Sequence, residues 1–158
     1  MITRTNPLNI RQANDLDSEN IKKVVFSALN EYGIAPDPAS IDADLGNIEN
    51  RYNDNGGFFG IIETDGQIIA TVGLYRLDNL SCEIRRMYVL PAQRGKGHGR
   101  KLLEYSLAKA KGLGFRKVVL ETASCFTQAI TLYKKYGFTQ YSPECLSPRC
   151  NQAFELNI

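Results

Sequence analysis

The 158-residue chain contains no tryptophan and a single histidine, His98. One histidine without a neighbouring Cys/His cluster offers no ligand set for a zinc ion, so no metal is expected. Cysteine is sparse as well: Cys82, Cys125, Cys145 and Cys150 show no C-x-x-C spacing. Two of them fall in apparent strands, and reduced, buried thiols are expected, with a local Cys145–Cys150 bridge as the alternative. The opening residues Met1–Pro7 lack the apolar core of an export signal. No window approaches the ~20 apolar residues of a membrane span. A cytoplasmic protein without a membrane partner is therefore expected. An excess of either charge is also missing: 19 Lys and Arg against 17 Asp and Glu leave +2, which argues against a general nucleic-acid binder. Repeats, low-complexity tracts and linkers are absent. Residues 1–158 are expected to form one domain, with Met1–Thr5 as a disordered tail, and 43% apolar content is enough for a proper core.

Against this even background one stretch stands out. The apolar run Met87-Tyr88-Val89-Leu90 stops at Pro91, and Arg94-Gly95-Lys96-Gly97-His98-Gly99-Arg100-Lys101 follows. From Arg85 to Lys101 there are six Arg or Lys and no acid. Leu102, Leu103, Ser106, Leu107 and Ala110 then share one face of an amphipathic helix. A strand, a glycine-rich turn and a helix N-terminus together make an anion site. The first N–H groups of a helix lack internal partners, and the helix dipole adds positive charge there. Glycines at 95, 97 and 99 remove every second Cβ and let a phosphate approach the backbone. A nucleotide P-loop counted from Gly95 requires glycine where Arg100 stands. A dinucleotide fingerprint meets Arg100 from Gly95 and Leu102 from Gly97. Neither pattern closes.

The remaining elements can be read in order. Leu8–Arg11 alternates as a short strand. Asp15 and Asp17 precede a helix with Ile21, Val24, Val25, Ala28 and Leu29 on one face and Gly33 at its end. Ala35–Pro38 is a stiff connector, and Ser40 opens a second, weaker helix carrying Ile41, Leu45 and Ile48. Six acids and one base lie between Glu31 and Asp54, either as a solvated face or as an acidic rim that attracts a cationic amine. Gly57–Glu63 and Gln67–Tyr75 form a hairpin through Asp65-Gly66. The second of these strands is apolar on both faces and so is expected at the centre of the sheet. Cys82–Leu90 leads into the glycine loop. After the main helix, ended by Gly112 and Gly114, Phe115–Thr122 is a further strand, parallel to Cys82–Leu90 through a right-handed crossover. Thr127–Phe138 is a short helix capped by Gly137, with Ala129, Ile130, Leu132, Tyr133 and Tyr136 facing inward. Phe138–Tyr141 and Ala153–Leu156 complete the sheet, joined by a loop with Pro143 and Pro148.

Two segments carry a family resemblance. Arg94-Gly95-Lys96-Gly97-His98-Gly99 resembles the Arg/Gln-x-x-Gly-x-Gly/Ala signature of the GNAT superfamily of N-acetyltransferases. Ala129-Ile130-x-Leu132-Tyr133-x-x-x-Gly137-Phe138, about 30 residues downstream, resembles its other recurring segment. Glu83–Val89 is similar to the family's entry strand. The likeness is close from Cys82 to Tyr141 and elsewhere extends only to the order of elements. It implies a single-domain α/β fold, a mixed twisted sheet of six or seven strands flanked by about four helices. It also implies transfer of acetyl from acetyl-coenzyme A to a primary amine of a small molecule or peptide. Acetyl-coenzyme A and the amine are then the implied partners, and a homodimer stays open.

Carried over residue by residue, Met87, Tyr88 and Val89 would receive the pantetheine arm, with the Val89 N–H on the thioester carbonyl. Arg94, Gly95, Lys96, Gly97, His98, Gly99 and Arg100 would hold the pyrophosphate. Tyr133 would lie at the coenzyme sulfur as proton donor, and a phenol suits a developing thiolate. Periodicity alone leaves Tyr136 as its equal. Glu83, six residues before Val89, is either a general base with a burial-raised pKa or the ion-pair partner of an arginine such as Arg85. Many relatives carry asparagine where this chain has Phe126, so a polar contact is missing or comes from Ser124 or Thr127. Two other classes remain open: a coenzyme A-binding sensor or regulatory subunit without catalysis, and a nucleic-acid module using the Arg85–Lys101 cluster.

Overall fold

Successive residues along one strand point to opposite faces of a sheet, so Phe58-Phe59, Ile61-Ile62 and Ile68-Ile69 require cover on both sides. The computed structural model, which describes residues 10–158, supplies that cover. Seven strands form one sheet in the order β1-β2-β3-β4-β5-β7-β6. They are β1 Ile10–Gln12, β2 Phe58–Thr64, β3 Gln67–Arg76, β4 Ser81–Val89, β5 Lys117–Thr122, β6 Thr139–Tyr141 and β7 Gln152–Asn157. Helix α1 (Ser18–Glu31) packs on one face through Ile21, Val24, Val25 and Leu29, against Phe59, Ile61 and Ile68. Helices α2 (His98–Gly112) and α3 (Thr127–Lys135) cover the other, where Leu102, Leu103, Ala110 and Tyr133 meet Phe58, Ile62, Ile69 and Leu120. The mixed α/β architecture agrees with the sequence expectation.

Local signals account for most boundaries. The Asn14 side chain accepts the Leu16 N–H, and the Asp17 carboxylate accepts the Asn14 N–H, which caps the entry to α1. Asp65 and Gly66 both have positive φ, 52° and 76°, as a tight hairpin turn requires. The segment after Ser40 departs from the expected helix. It is a 3₁₀ turn, Ala43–Gly46, followed by a π-helical turn, Glu49–Asn53. Leu45, Ile48 and Tyr52 still reach the core, whereas Ile41 is exposed. Expected thiol burial holds only in part. Cys82 is buried in β4, Cys125 and Cys145 are exposed in loops, Cys150 is half-buried, and all four are free. Cys125 stands before α3, outside any strand. The Met1–Thr5 tail and the Leu8-Asn9 start of the first strand lie outside the described residues.

The sheet opens where the site forms. β4 pairs with β5 in parallel only at Ser81, Cys82 and Glu83, while β5 stays paired with β7 along its whole length. On its other side β4 carries a bulge. Gly73 faces Arg85 and Thr71 faces Tyr88, so Arg86 and Met87 together oppose one residue of β3. Arg86 sits at φ 56°, a left-handed conformation that is strained for a side chain of this size. It is held there by ion pairs to Asp42 and Asp44 and by its own carbonyl, which accepts the Thr71 hydroxyl at 2.7 Å. The bulge turns the rest of β4 away from β5 and leaves its edge free from Ile84 to Val89.

Candidate active site

The divergence of β4 and β5 leaves a cleft of about 380 Å³. One wall is β4, with Glu83, Arg85, Met87 and Tyr88, and the lining also includes Asp44, Glu121, Thr122, Phe126, Ala129, Tyr133, Arg149 and Cys150. Along the first wall the backbone is arranged as a donor row. Leu90 gives its N–H to the Ile69 carbonyl of β3 at 2.9 Å. In an antiparallel ladder the neighbouring residue then turns both its backbone groups the other way, so Val89 directs its N–H and C=O to the open edge. Arg94 Nε takes the Val89 carbonyl at 3.1 Å. The Val89 N–H is left facing the cleft side.

The glycine loop follows directly. Gly95 and Gly97 adopt φ +77° and +82°, where only glycine is unstrained, and a Cβ at either would meet nothing within 4 Å. Gly97 is the N-cap of α2, and the first helical bond there runs from Lys101 N–H to Gly97 C=O at 3.1 Å. Among the described residues, the six N–H groups of 95–100 find no acceptor. Six adjacent donors at the positive end of a 15-residue helix fit a diphosphate. The side chains around the loop do other things. Arg94 Nη1 pairs with Glu31 at 2.7 Å, tying the loop to the end of α1, and Lys96 donates to Gln93 at 3.1 Å. Arg100 is more than half exposed, 4.0 Å from Glu104. His98 opens α2 with its Nδ1 sealed from solvent and unpartnered, and burial together with Lys101 and Lys96 lowers its pKa.

The two tyrosines that periodicity could not separate are distinguished by their partners. Tyr136 donates its hydroxyl to Glu104 on the outside of the helix. Tyr133 is buried in the cleft wall against Phe138, and its hydroxyl meets no protein partner among the described residues. Burial, with a smaller contribution from Tyr88, raises its pKa well above the usual phenol value, so it holds its proton at neutral pH. Glu83 is 14% exposed and bonded to Arg85 Nε. Burial raises its pKa; Arg85 opposes the rise and nearby Glu121 adds to it. Of the two sequence possibilities for Glu83, the ion pair with Arg85 is the one present in the structure. Phe126 packs on Tyr32 at 4.6 Å and faces Tyr88 at 6.2 Å, linking the end of α1 to the start of α3. Ser124 gives its N–H to Asn151 Oδ1 and accepts Asn151 Nδ2 on its hydroxyl oxygen, which keeps the hydroxyl proton available to donate.

The sequence reading gave no role to the charged network beneath the cleft. Asp42, fully buried, accepts Arg86 Nη1 at 2.7 Å, Arg149 Nη1 and Nη2 at 2.7 and 2.9 Å, and the Asp37 N–H at 2.7 Å. Burial alone would raise its pKa, but the bonds from Arg149, Asp37 and Arg86 outweigh it and hold the carboxyl at about 2. Asp44 takes Arg86 and the Tyr52 hydroxyl. This network joins the 37–44 segment, the β4 bulge and the β6–β7 loop. Among the described residues no group of three His, Cys, Asp or Glu side chains is placed to hold a metal ion, and no helix is long and apolar enough to cross a membrane.

Comparison with known proteins places this geometry. The acetyltransferase (GNAT) family model matches residues 23–138. The chain is 32% identical over 127 residues to YjgM of Escherichia coli K12, an uncharacterized N-acetyltransferase, covering 77% of this chain and 76% of that protein. Its fold superposes with a TM-score of 0.85 on a GNAT-family acetyltransferase from Staphylococcus aureus Mu50, at 29% identity, over 94% of this chain and 98% of that one. YncA of Salmonella typhimurium, solved with acetyl-CoA, matches with a TM-score of 0.73 at 23% identity over 94% of this chain and 92% of its own, a likeness of fold alone.

Proposed function

The chain belongs to the GNAT family of acetyltransferases, and from that premise we propose that it transfers acetyl directly from acetyl-coenzyme A to a primary amine. The observation that carries this is the line of unsatisfied backbone donors, first the Val89 N–H and then the N–H groups of 95–100. Acetyl-coenzyme A supplies an acyl carbon activated as a thioester and a thiol as leaving group. The loop amides of Gly95, Lys96, Gly97, His98, Gly99 and Arg100 bind the diphosphate, and the free edge of β4 at Met87, Tyr88 and Val89 pairs with the pantetheine arm. Arg94 acts from behind, fixing the Val89 carbonyl and the loop together.

Three groups then divide the chemistry. The Val89 N–H stabilises negative charge on the acyl oxygen. Glu83 accepts a proton from the ammonium so that the nitrogen lone pair is free to form the C–N bond. The C–S bond breaks with its electron pair on sulfur, Tyr133 Oη gives that sulfur a proton, and the second proton shed by the nitrogen as it becomes an amide restores the phenol. Holding both substrates in one cleft supplies much of the acceleration. Calorimetric titration with acetyl-coenzyme A and thiol release over an amine library test this together. Binding with acceptor-dependent thiol release supports it, and binding without release from any amine would indicate a sensor instead.

A further inference from the structure

The acidic segment 31–54 resembled a lure for a cationic amine, but four of its six carboxylates are already engaged. Glu31 holds Arg94, Asp42 holds Arg86 and Arg149, Asp44 holds Arg86, and Glu49 accepts the Asp15 N–H. The cleft wall contains four arginines, Arg51, Arg85, Arg86 and Arg149. Two are consumed. Arg86 spends Nε, Nη1 and Nη2 on Asp44, Asp42 and the Ile41 carbonyl. Arg149 is bidentate on Asp42 and also donates to the Ala35 carbonyl. The other two are not. Arg85 gives only Nε, to Glu83, and its guanidinium lies over the Tyr75 ring at 3.9 Å. Among the described residues neither of its Nη groups has an acceptor, and Arg51 has no acceptor at all.

An arginine fixed by a carboxylate on one edge and an aromatic ring on one face presents its remaining edge as a rigid fork for a carboxylate. Glu83, beside that fork, is the group that receives the amine proton. An acceptor satisfying both must carry its amine and its anion on neighbouring atoms. We infer that the acceptor bears a carboxylate next to the reacting amine, as a free amino acid does, received by Arg85 with Arg51 adding charge at the same cleft. This rests on the acetyl-transfer function proposed above. A polyamine, an aminoglycoside or a peptide N-terminus lacks an anion at that position.

The test is thiol release from acetyl-coenzyme A with matched acceptors: free L-amino acids, their α-carboxamides and the corresponding decarboxylated amines. The best acid should exceed its own amide by about tenfold or more in kcat/KM, because the amide leaves the guanidinium fork unpaired. Arg85→Gln should shrink that ratio toward one, chiefly by raising KM for the acid. Arg51→Gln, at an exposed position where folding is not at stake, should shrink it in the same direction. Amides or decarboxylated amines that match the acids, a ratio unmoved in both variants, or transfer to no member of the panel would each overturn the inference. Failure of acetyl-coenzyme A to bind in calorimetry would overturn the underlying transfer as well, so the two failures are distinguishable.

Discussion

Replacing Asp42 by asparagine keeps shape and volume and removes one buried charge. All four hydrogen bonds to this carboxylate come from donors, two on each oxygen. Whichever way the amide turns, its NH₂ faces two of them. The charge itself has a worked value. A carboxyl held at about 2 instead of 3.8 contributes roughly 2 kcal/mol at neutral pH. The donor conflicts raise the loss to roughly 3–5 kcal/mol, the usual cost of breaking a buried ion pair. For a domain of this size that lowers Tm by roughly 6–20 °C. Because the folded pKa is depressed, the stabilisation is full above the unfolded value and is lost as pH falls through the folded one. The gap between wild type and Asp42→Asn should therefore be widest near neutrality and shrink as pH falls from 3.8 toward about 2. Far-UV circular dichroism melts are the assay, since a chain without tryptophan gives no indole signal. Equal Tm values near neutrality, or a gap that persists undiminished in acid, would refute the account of the network.

Three further outcomes follow from the site. Tyr133→Phe should lower kcat by about 10²-fold, within the range for general acids, while calorimetry shows coenzyme affinity nearly unchanged; full turnover at every pH removes the proton-donor role. Glu83→Gln should abolish the acidic limb of the kcat/KM profile, which in the wild type rises as pH passes the burial-raised pKa of this carboxyl; an unaltered limb assigns the base elsewhere. Gly97→Ala places a Cβ at φ +82°; a stability loss of about 1–2 kcal/mol is expected, together with weaker coenzyme binding. An affinity equal to that of the wild type would detach the loop from the coenzyme.

Much of the fold could be read because its signals are local. Apolar runs bounded by turn residues gave β2 and β3, Asp65-Gly66 gave their hairpin, and the Leu102–Ala110 face gave α2. The irregular 43–53 segment could not be read this way, since Leu45, Ile48 and Tyr52 keep a helical spacing while the backbone takes 3₁₀ and π turns. The glycine loop was legible for the opposite reason: its positive φ angles demand particular residues at particular positions. The Asp42 network was not legible, because Arg149 lies 107 residues away and only the closed sheet brings it near. For the same reason Glu31, Asp42 and Asp44 looked free in sequence and are paired with arginines in the structure. Nor does any sequence signal mark Arg86 as the left-handed residue of a bulge, although that bulge is what opens the cleft.

The central claim is that the backbone amides of the loop grip the diphosphate while β4 aligns the thioester. It is tested most directly by following backbone amide resonances during titration of the full chain with coenzyme A. The N–H signals of 95–100 and of Val89 should shift together, saturate at one ligand per chain, and lose solvent exchange in the complex. Saturation with those amides unmoved, and the perturbation centred elsewhere on the molecule, would contradict it.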